Sequence, residues 1–374
     1  HLMRILLLAF YFLFQYQFAI SQKSIQGSPF LKNYEPKEYN AHVQNWSATV
    51  DQRGIVYIAN GDGLMEYDGI EWRLHEFPKQ VTVRSVAIDS LGRVFAGGVG
   101  DFGMFLPDSA GNLHFHSLLD LIDSTYHDFD DVWGIHITDN AVFFNSYDYI
   151  FKYSENEIDV FEPDNEFSGG FQYKNKFYVQ DVGHDLHILI GDSMKKVEYP
   201  KYPLRKRLYD AAPYMGEKIL LLFIDSLYLL DPLKPGEPLI PLEGPVQDFL
   251  TEHQGYSLLR IDSGKYAVSS QLNGGVAIID EKGNLLQRIT GSEGLKQGGI
   301  YDLAKDHQGN LWMALSNGIS MVEISSPITY WDDRNGLYGS VEDFIEYNGR
   351  YYVATHQGVY YLDGDRAVII KGSE

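Results

Sequence analysis

The chain contains no cysteine, so neither a disulfide framework nor a thiolate-bound metal is open to it. Positive charge is scarce. Thirty Lys and Arg stand against 51 Asp and Glu, for a formal net charge of −21. Nucleic acid and anionic membrane both reward Lys and Arg, so neither is expected as a partner. Sustained helical periodicity is missing: residues 118–123 make at most one helical turn. No G-x-S-x-G, no P-loop and no G-x-G-x-x-G with a following helix is present. Gly97-Gly98-Val99-Gly100 is glycine-rich, but it joins two apolar runs and reads as a hairpin. The one long apolar run lies at the start. Met3-Arg4 is followed by nearly all-apolar residues 5–14, and the stretch ends in Ala19-Ile20-Ser21. One positive charge, an apolar core of about ten residues and a small-x-small exit describe a secretory signal peptide over residues 1–21, with His1-Leu2 preceding its Met. The run is too short to span a membrane comfortably, and no cysteine follows it to carry a lipid.

Aromatic side chains are abundant: 27 Tyr, 21 Phe and 5 Trp, beside 36 Gly. The aromatics suit pleated, half-buried surfaces and the glycines supply turns. The clearest stretch is residues 299–325. Two alternating apolar runs flank the turn Asp306-His307-Gln308-Gly309, and a third follows Asn317-Gly318. Period-2 alternation around such turns predicts a three-strand meander over 300–305, 311–315 and 319–324. The same hairpin returns around Tyr57, Phe95, Phe143, Tyr178, Leu220, Ala267, Trp312 and Tyr352, a period of about 42 residues with several strands each, as in propeller blades.

The expected fold is therefore all-β: a β-propeller of four-stranded antiparallel blades. Seven blades over residues 22–330 are expected, with residues 331–374 beginning a second propeller whose outer strand is barely started; one eight-bladed ring is the alternative. Residues 22–39 can supply an outer strand that closes the ring and hides its edges. The proline-rich segment 232–245 reads as a loop.

The first strand of each blade lines the central channel of such a ring. Aligned, the starts of these strands read Trp46-Ser47, Arg84-Ser85, Trp133-Gly134, Tyr209-Asp210, Tyr256-Ser257, Tyr301-Asp302 and Glu342-Asp343. Trp46, Arg84, Trp133, Tyr209, Tyr256, Tyr301 and Glu342 are thus the candidate ligand-binding residues at the channel mouth. Aromatic faces stack on sugars and Arg donates in a rigid fork; alternatively the same side chains pack on each other and close the channel. The Asp of the recurring D-x-x-G turn, at Asp51, Asp89 and Asp306, suits turn capping better than a calcium loop, which needs several acidic oxygens together. Asp128-Phe129-Asp130-Asp131 is denser in carboxylates. His184 and His187 sit three apart with no evident third ligand. No metal and no cofactor are expected, and no catalytic set can be assembled.

Residues 300–319, from Ile300-Tyr301-Asp302 through Asp306-x-x-Gly309-x-Leu311-Trp312-Met313-Ala314 to Asn317-Gly318-Ile319, resemble the two-component-regulator propeller repeat, departing at Leu315-Ser316. The opening, residues 30–34, 44–46 and 63–69, is similar to the N-terminal part of triple-tyrosine-motif sensor proteins of the Bacteroidetes type. The resemblance implies a signal peptide, one or two seven-bladed propellers, an immunoglobulin-like triple-tyrosine domain, a membrane helix and a cytoplasmic kinase or DNA-binding output. It thus implies a periplasmic sensor tethered to the inner membrane by a C-terminal segment outside this chain. Several relatives sense polysaccharide breakdown products. The repeat is a fold motif and carries no functional residue over. The reading is a non-catalytic sensor whose partners are an oligosaccharide, other domains of the same receptor and a second copy in a homodimer. A secreted propeller lyase or glycoside hydrolase, and a purely structural dimerisation module, are the alternatives.

Overall fold

The structure, a computed structural model, describes residues 27–374; the expected signal peptide lies outside them. The chain is all-β, with eight four-stranded antiparallel sheets. It divides into two compact units, Leu31–Ser325 and the segments flanking it.

Leu31–Ser325 holds seven sheets. Six are built in chain order, from Asn45–Val50 outward to Trp72–Glu76 in blade one through Gly255–Asp262 outward to Leu285–Ile289 in blade six. The seventh takes its three inner strands, Ile300–Lys305, Leu311–Leu315 and Gly318–Val322, from the end of the unit and its outer strand, Leu31–Tyr34, from the beginning. Leu31 faces Val322 and Tyr34 faces Ile319. The innermost strands follow one another in order, and that of blade seven lies beside that of blade one. This pairing removes the open edge that the first and last blades would otherwise present.

The core lies between neighbouring blades. Phe95 and Phe102 of blade two pack on Phe144 and Phe151 of blade three, with Phe102 and Phe151 stacked at 4.5 Å. Between blades seven and one, Tyr34 stacks on Trp312 at 5.6 Å and Tyr67 on Trp72 at 4.5 Å. Aromatic rings fill this gap because facing sheets stand about 10 Å apart.

Each D-x-x-G turn is closed by its aspartate. Asp51 accepts from the N–H groups of Arg53 and Ile55, Asp89 from Leu91 and Arg93, and Asp306 from Gln308 and Asn310. Asp108 and Asp280 do the same. Two features differ from the sequence reading. The segment expected as a loop carries the short outer strand Ile240–Pro241 of blade five. An eight-residue helix, Val246–His253, follows it, burying Val246, Phe249 and Leu250; two turns are too few for a clear periodic signal.

The other unit holds the eighth sheet, Val341–Tyr347, Arg350–Thr355, Gly358–Asp363 and Arg366–Ile369. Its outer strand is thus formed, where the sequence reading had it barely begun. Its buried core is small, Leu337, Val353 and Tyr360. Among the described residues no helix is long and apolar enough to cross a membrane.

Candidate functional site

Every inner strand slips register with its neighbour near its start. The slip falls between Asn45 and Ser47, Val83 and Ser85, Val132 and Gly134, Leu208 and Asp210, Gly255 and Leu258, and Ile300 and Asp302. The skipped residues are Trp46, Arg84, Trp133, Tyr209, Tyr256 with Ser257, and Tyr301. A bulged residue leaves the ladder and is re-aimed, and these side chains all line one cavity of about 290 Å³. Glu342 occupies the same slip in the eighth sheet, but it is not among the lining residues. Its strand is exposed along its whole length and belongs to the other unit. The ring of inner strands passes from blade seven directly to blade one, which leaves it no place there.

The lining side chains form a continuous band. Tyr209 meets Tyr256 at 5.3 Å, Tyr256 meets Tyr301 at 5.2 Å, and Tyr301 stacks on Trp46 at 4.7 Å with the planes 10° apart. Trp46 meets Trp133 edge-on at 5.9 Å, and Trp133 stacks on Tyr147 at 5.6 Å. The Arg84 guanidinium lies 3.9 Å from the centre of the Trp46 ring and 5.0 Å from that of Trp133. Asp131 accepts from its Nε at 2.6 Å, so the acidic run 128–131 supplies a counter-ion for Arg84. The rings pack on each other and still leave a cavity between them.

The second residue of each strand start does different work. Asp302 accepts from Ser47 Oγ at 2.8 Å and from the Ala48 N–H at 2.9 Å, fastening blade seven to blade one. Asp210 accepts from Ser257 Oγ at 3.0 Å and the Leu258 N–H at 2.7 Å, fastening blade five to blade six. Ser85 Oγ donates to the Val132 carbonyl between blades two and three. Ser257 Oγ also lies 3.2 Å from Asp302. Burial pushes the Asp210 carboxyl up to about 7, with Asp302 nearby adding to it. Burial raises Asp302 as well, against the N–H and hydroxyl groups that favour its charged form.

Blade four breaks the pattern. Its strand start reads Phe167-Ser168-Gly169-Gly170, and a Cβ on Gly169 would lie 2.4 Å from the Leu208 carbonyl oxygen. No large side chain fits, and two residues that the sequence alignment missed complete the lining. Tyr147 comes from the hairpin turn of blade three and Arg207 from just before the first strand of blade five. The Arg207 guanidinium lies 4.7 Å from the Tyr147 ring centre and pairs with Glu166 at 2.5 Å. The glycine pair in blade four was the only sequence signal of this gap.

Residues 294–317 match the family described as Two component regulator propeller. No curated protein sequence matches the chain. The fold is similar to the extracellular domain of a hybrid two component system from B. thetaiotaomicron, with 14% identity and a TM-score of 0.65 over 91% of this chain and 49% of that one. A second such domain from B. thetaiotaomicron aligns with 14% identity and a TM-score of 0.61 over 92% of this chain and 47% of that one. This chain thus spans about half the length of those domains. A streptogramin B lyase structure aligns with 11% identity and a TM-score of 0.63 over 79% of this chain and 98% of that one. One fold therefore serves regulators and enzymes alike. The chain is a β-propeller that carries, in its seventh blade, the repeat of the two-component-regulator propellers.

Proposed function

We propose that the propeller Leu31–Ser325 is the ligand-binding part of an extracytoplasmic sensor, and that it takes a sugar-class ligand rich in hydrogen-bond acceptors at the cavity of its inner strands. One observation carries this reading: the cavity is lined by unspent donors. Among the described residues, the indole N–H groups of Trp46 and Trp133 and Nη1 of Arg207 have no hydrogen-bond partner and are themselves buried, so a ligand engages them only when these side chains shift. The hydroxyls of Tyr147, Tyr209, Tyr256 and Tyr301, on the same lining, enter no hydrogen bond there either. The carboxylates of Asp210 and Asp302 are held by Ser hydroxyls and backbone N–H groups. Aromatic faces and free donors suit the flat apolar face and the oxygens of a saccharide.

The likeness to extracellular domains of regulator systems supports the receptor setting, with the ligand state passed to further domains and across the inner membrane from a periplasmic propeller. The hydroxyls of Ser47 and Ser257 in the lining are given to Asp302 and Asp210, pairs that fasten neighbouring blades. The test is a thermal-shift screen of the purified chain against neutral and acidic oligosaccharides. A ligand at a hundredfold excess over its dissociation constant should stabilise the fold by about 2.7 kcal/mol. The shift should vanish in Trp133→Ala and Arg84→Ala and weaken in Tyr256→Phe, which removes only a hydroxyl. A folded protein that answers no saccharide, or one that cleaves it, overturns the reading.

A further inference from the structure

Blade four holds a second polar cluster, away from the lining described above. Asp164, Asp181 and His187 each bring one ligand atom to within 4.8 Å of the others. Asp181 ends the strand Lys176–Asp181, and His187 lies in the next strand, Leu186–Ile190, opposite Val179. Asp164 lies in the loop leading to the blade's first strand. The third ligand that was not evident beside His184 and His187 is therefore supplied from elsewhere in the chain, and His184 is not in the set.

Two features set this cluster apart from a solvated acidic patch. His187 is only 6% exposed, and its Nδ1 has no hydrogen-bond partner. A buried polar atom without a partner is costly and calls for an explanation. Asp181 is 0% exposed, and among the described residues no Lys or Arg pairs with it. Its carboxylate is held instead by backbone: Oδ2 accepts from the Asp164 N–H, and Oδ1 from those of Asn165 and Glu166. That leaves Oδ2 a lone pair, with the group's orientation fixed.

The repeats show that the fold does not require either residue. The position of His187 is Met65 in blade one, Phe151 in blade three and Tyr228 in blade five, read from the equivalent pairings. The position of Asp181 is Asn60 in blade one and Ser146 in blade three.

We propose that Asp164, Asp181 and His187 form a binding site for one divalent transition-metal ion of the zinc class. Two carboxylates balance the ion's charge, and a neutral imidazole completes three protein ligands. Ligand bonds of about 2.0–2.2 Å require the three atoms to draw together by roughly 1 Å. The exposed Asp164 can supply that movement by changing rotamer. An imidazole favours zinc over calcium or magnesium, and three ligands are too few for a calcium cage. Asp164 is exposed, so water can complete the coordination from that side. The ion would also tie down loop 164–166, whose Glu166 is the partner of Arg207.

The test is zinc titration of the chelator-stripped full chain, read by competition with a chromogenic zinc chelator and by melting temperature. One equivalent of Zn²⁺ should bind and raise the melting temperature. Affinity should fall at least tenfold in Asp164→Asn, a surface change, and in His187→Met, the residue blade one carries there. His184→Ala should bind as wild type, and Mg²⁺ should not compete. Absence of zinc binding, or equal binding by wild type and Asp164→Asn, would overturn the proposal.

Discussion

Asp210 offers the sharpest test of how the ring is held together. Its carboxyl is pushed up to about 7, chiefly by burial, from an ordinary 3.8. Between those values the folded state keeps the proton that the unfolded state has lost. Folding then takes up a proton, so this group's contribution is fully present below about pH 4 and is lost as pH rises through about 7. A shift of about 3 units at about 1.4 kcal/mol each sets the size at roughly 4 kcal/mol. Asp210→Asn removes the titration and keeps the shape. Relative to the protonated acid it should cost about 1 kcal/mol, because its NH₂ must face the N–H of either Leu258 or Ala211. Urea unfolding of both proteins from about pH 4 to about pH 8 gives the comparison. The mutant should be the less stable protein at the acid end and should overtake wild type by roughly 2–3 kcal/mol at the alkaline end. A stability difference that stays constant with pH would refute the buried-acid account of the latch between blades five and six.

Three further outcomes follow from the packing. Asp306→Ala strips two backbone N–H groups and the Trp312 indole N–H, 3.0 Å away, of their acceptor; it should lower stability by about 1–3 kcal/mol in denaturant titration. Tyr34→Ala removes the ring that closes the gap between the terminal strand and Trp312, and should cost about 3–5 kcal/mol and promote aggregation through the loosened edge, visible by light scattering. Gly103→Ala would place a Cβ 2.1 Å from the His116 carbonyl oxygen; the outer strand of blade two must move, and a loss of about 1–3 kcal/mol is expected in the melting curve.

Much of the propeller is legible in the sequence because its rules are local. A strand alternates with period 2, and a D-x-x-G turn closes through its own backbone, as at Asp51, Asp89 and Asp306. Such signals need no distant partner. The same locality exposed the cavity-lining residues: Trp46, Arg84, Trp133, Tyr209, Tyr256 and Tyr301 share a place at the strand start, and that place is a bulge. The helix Val246–His253 escaped because two turns carry too little period.

The sequence by itself determined the strand repeat, the turns and the aromatic character of the inner strand starts, since each depends on neighbours a few residues away. Only the tertiary structure decided what those residues meet. It joined Leu31–Tyr34 to Gly318–Val322, because an unpaired sheet edge seeks a partner wherever the chain can provide one. It left Glu342 outside the cavity and brought in Tyr147 and Arg207, because Gly169 has no room for a side chain beside the Leu208 carbonyl. It placed Asp164 and Asp181 against His187. These contacts depend on the spacing between blades, which no local pattern records.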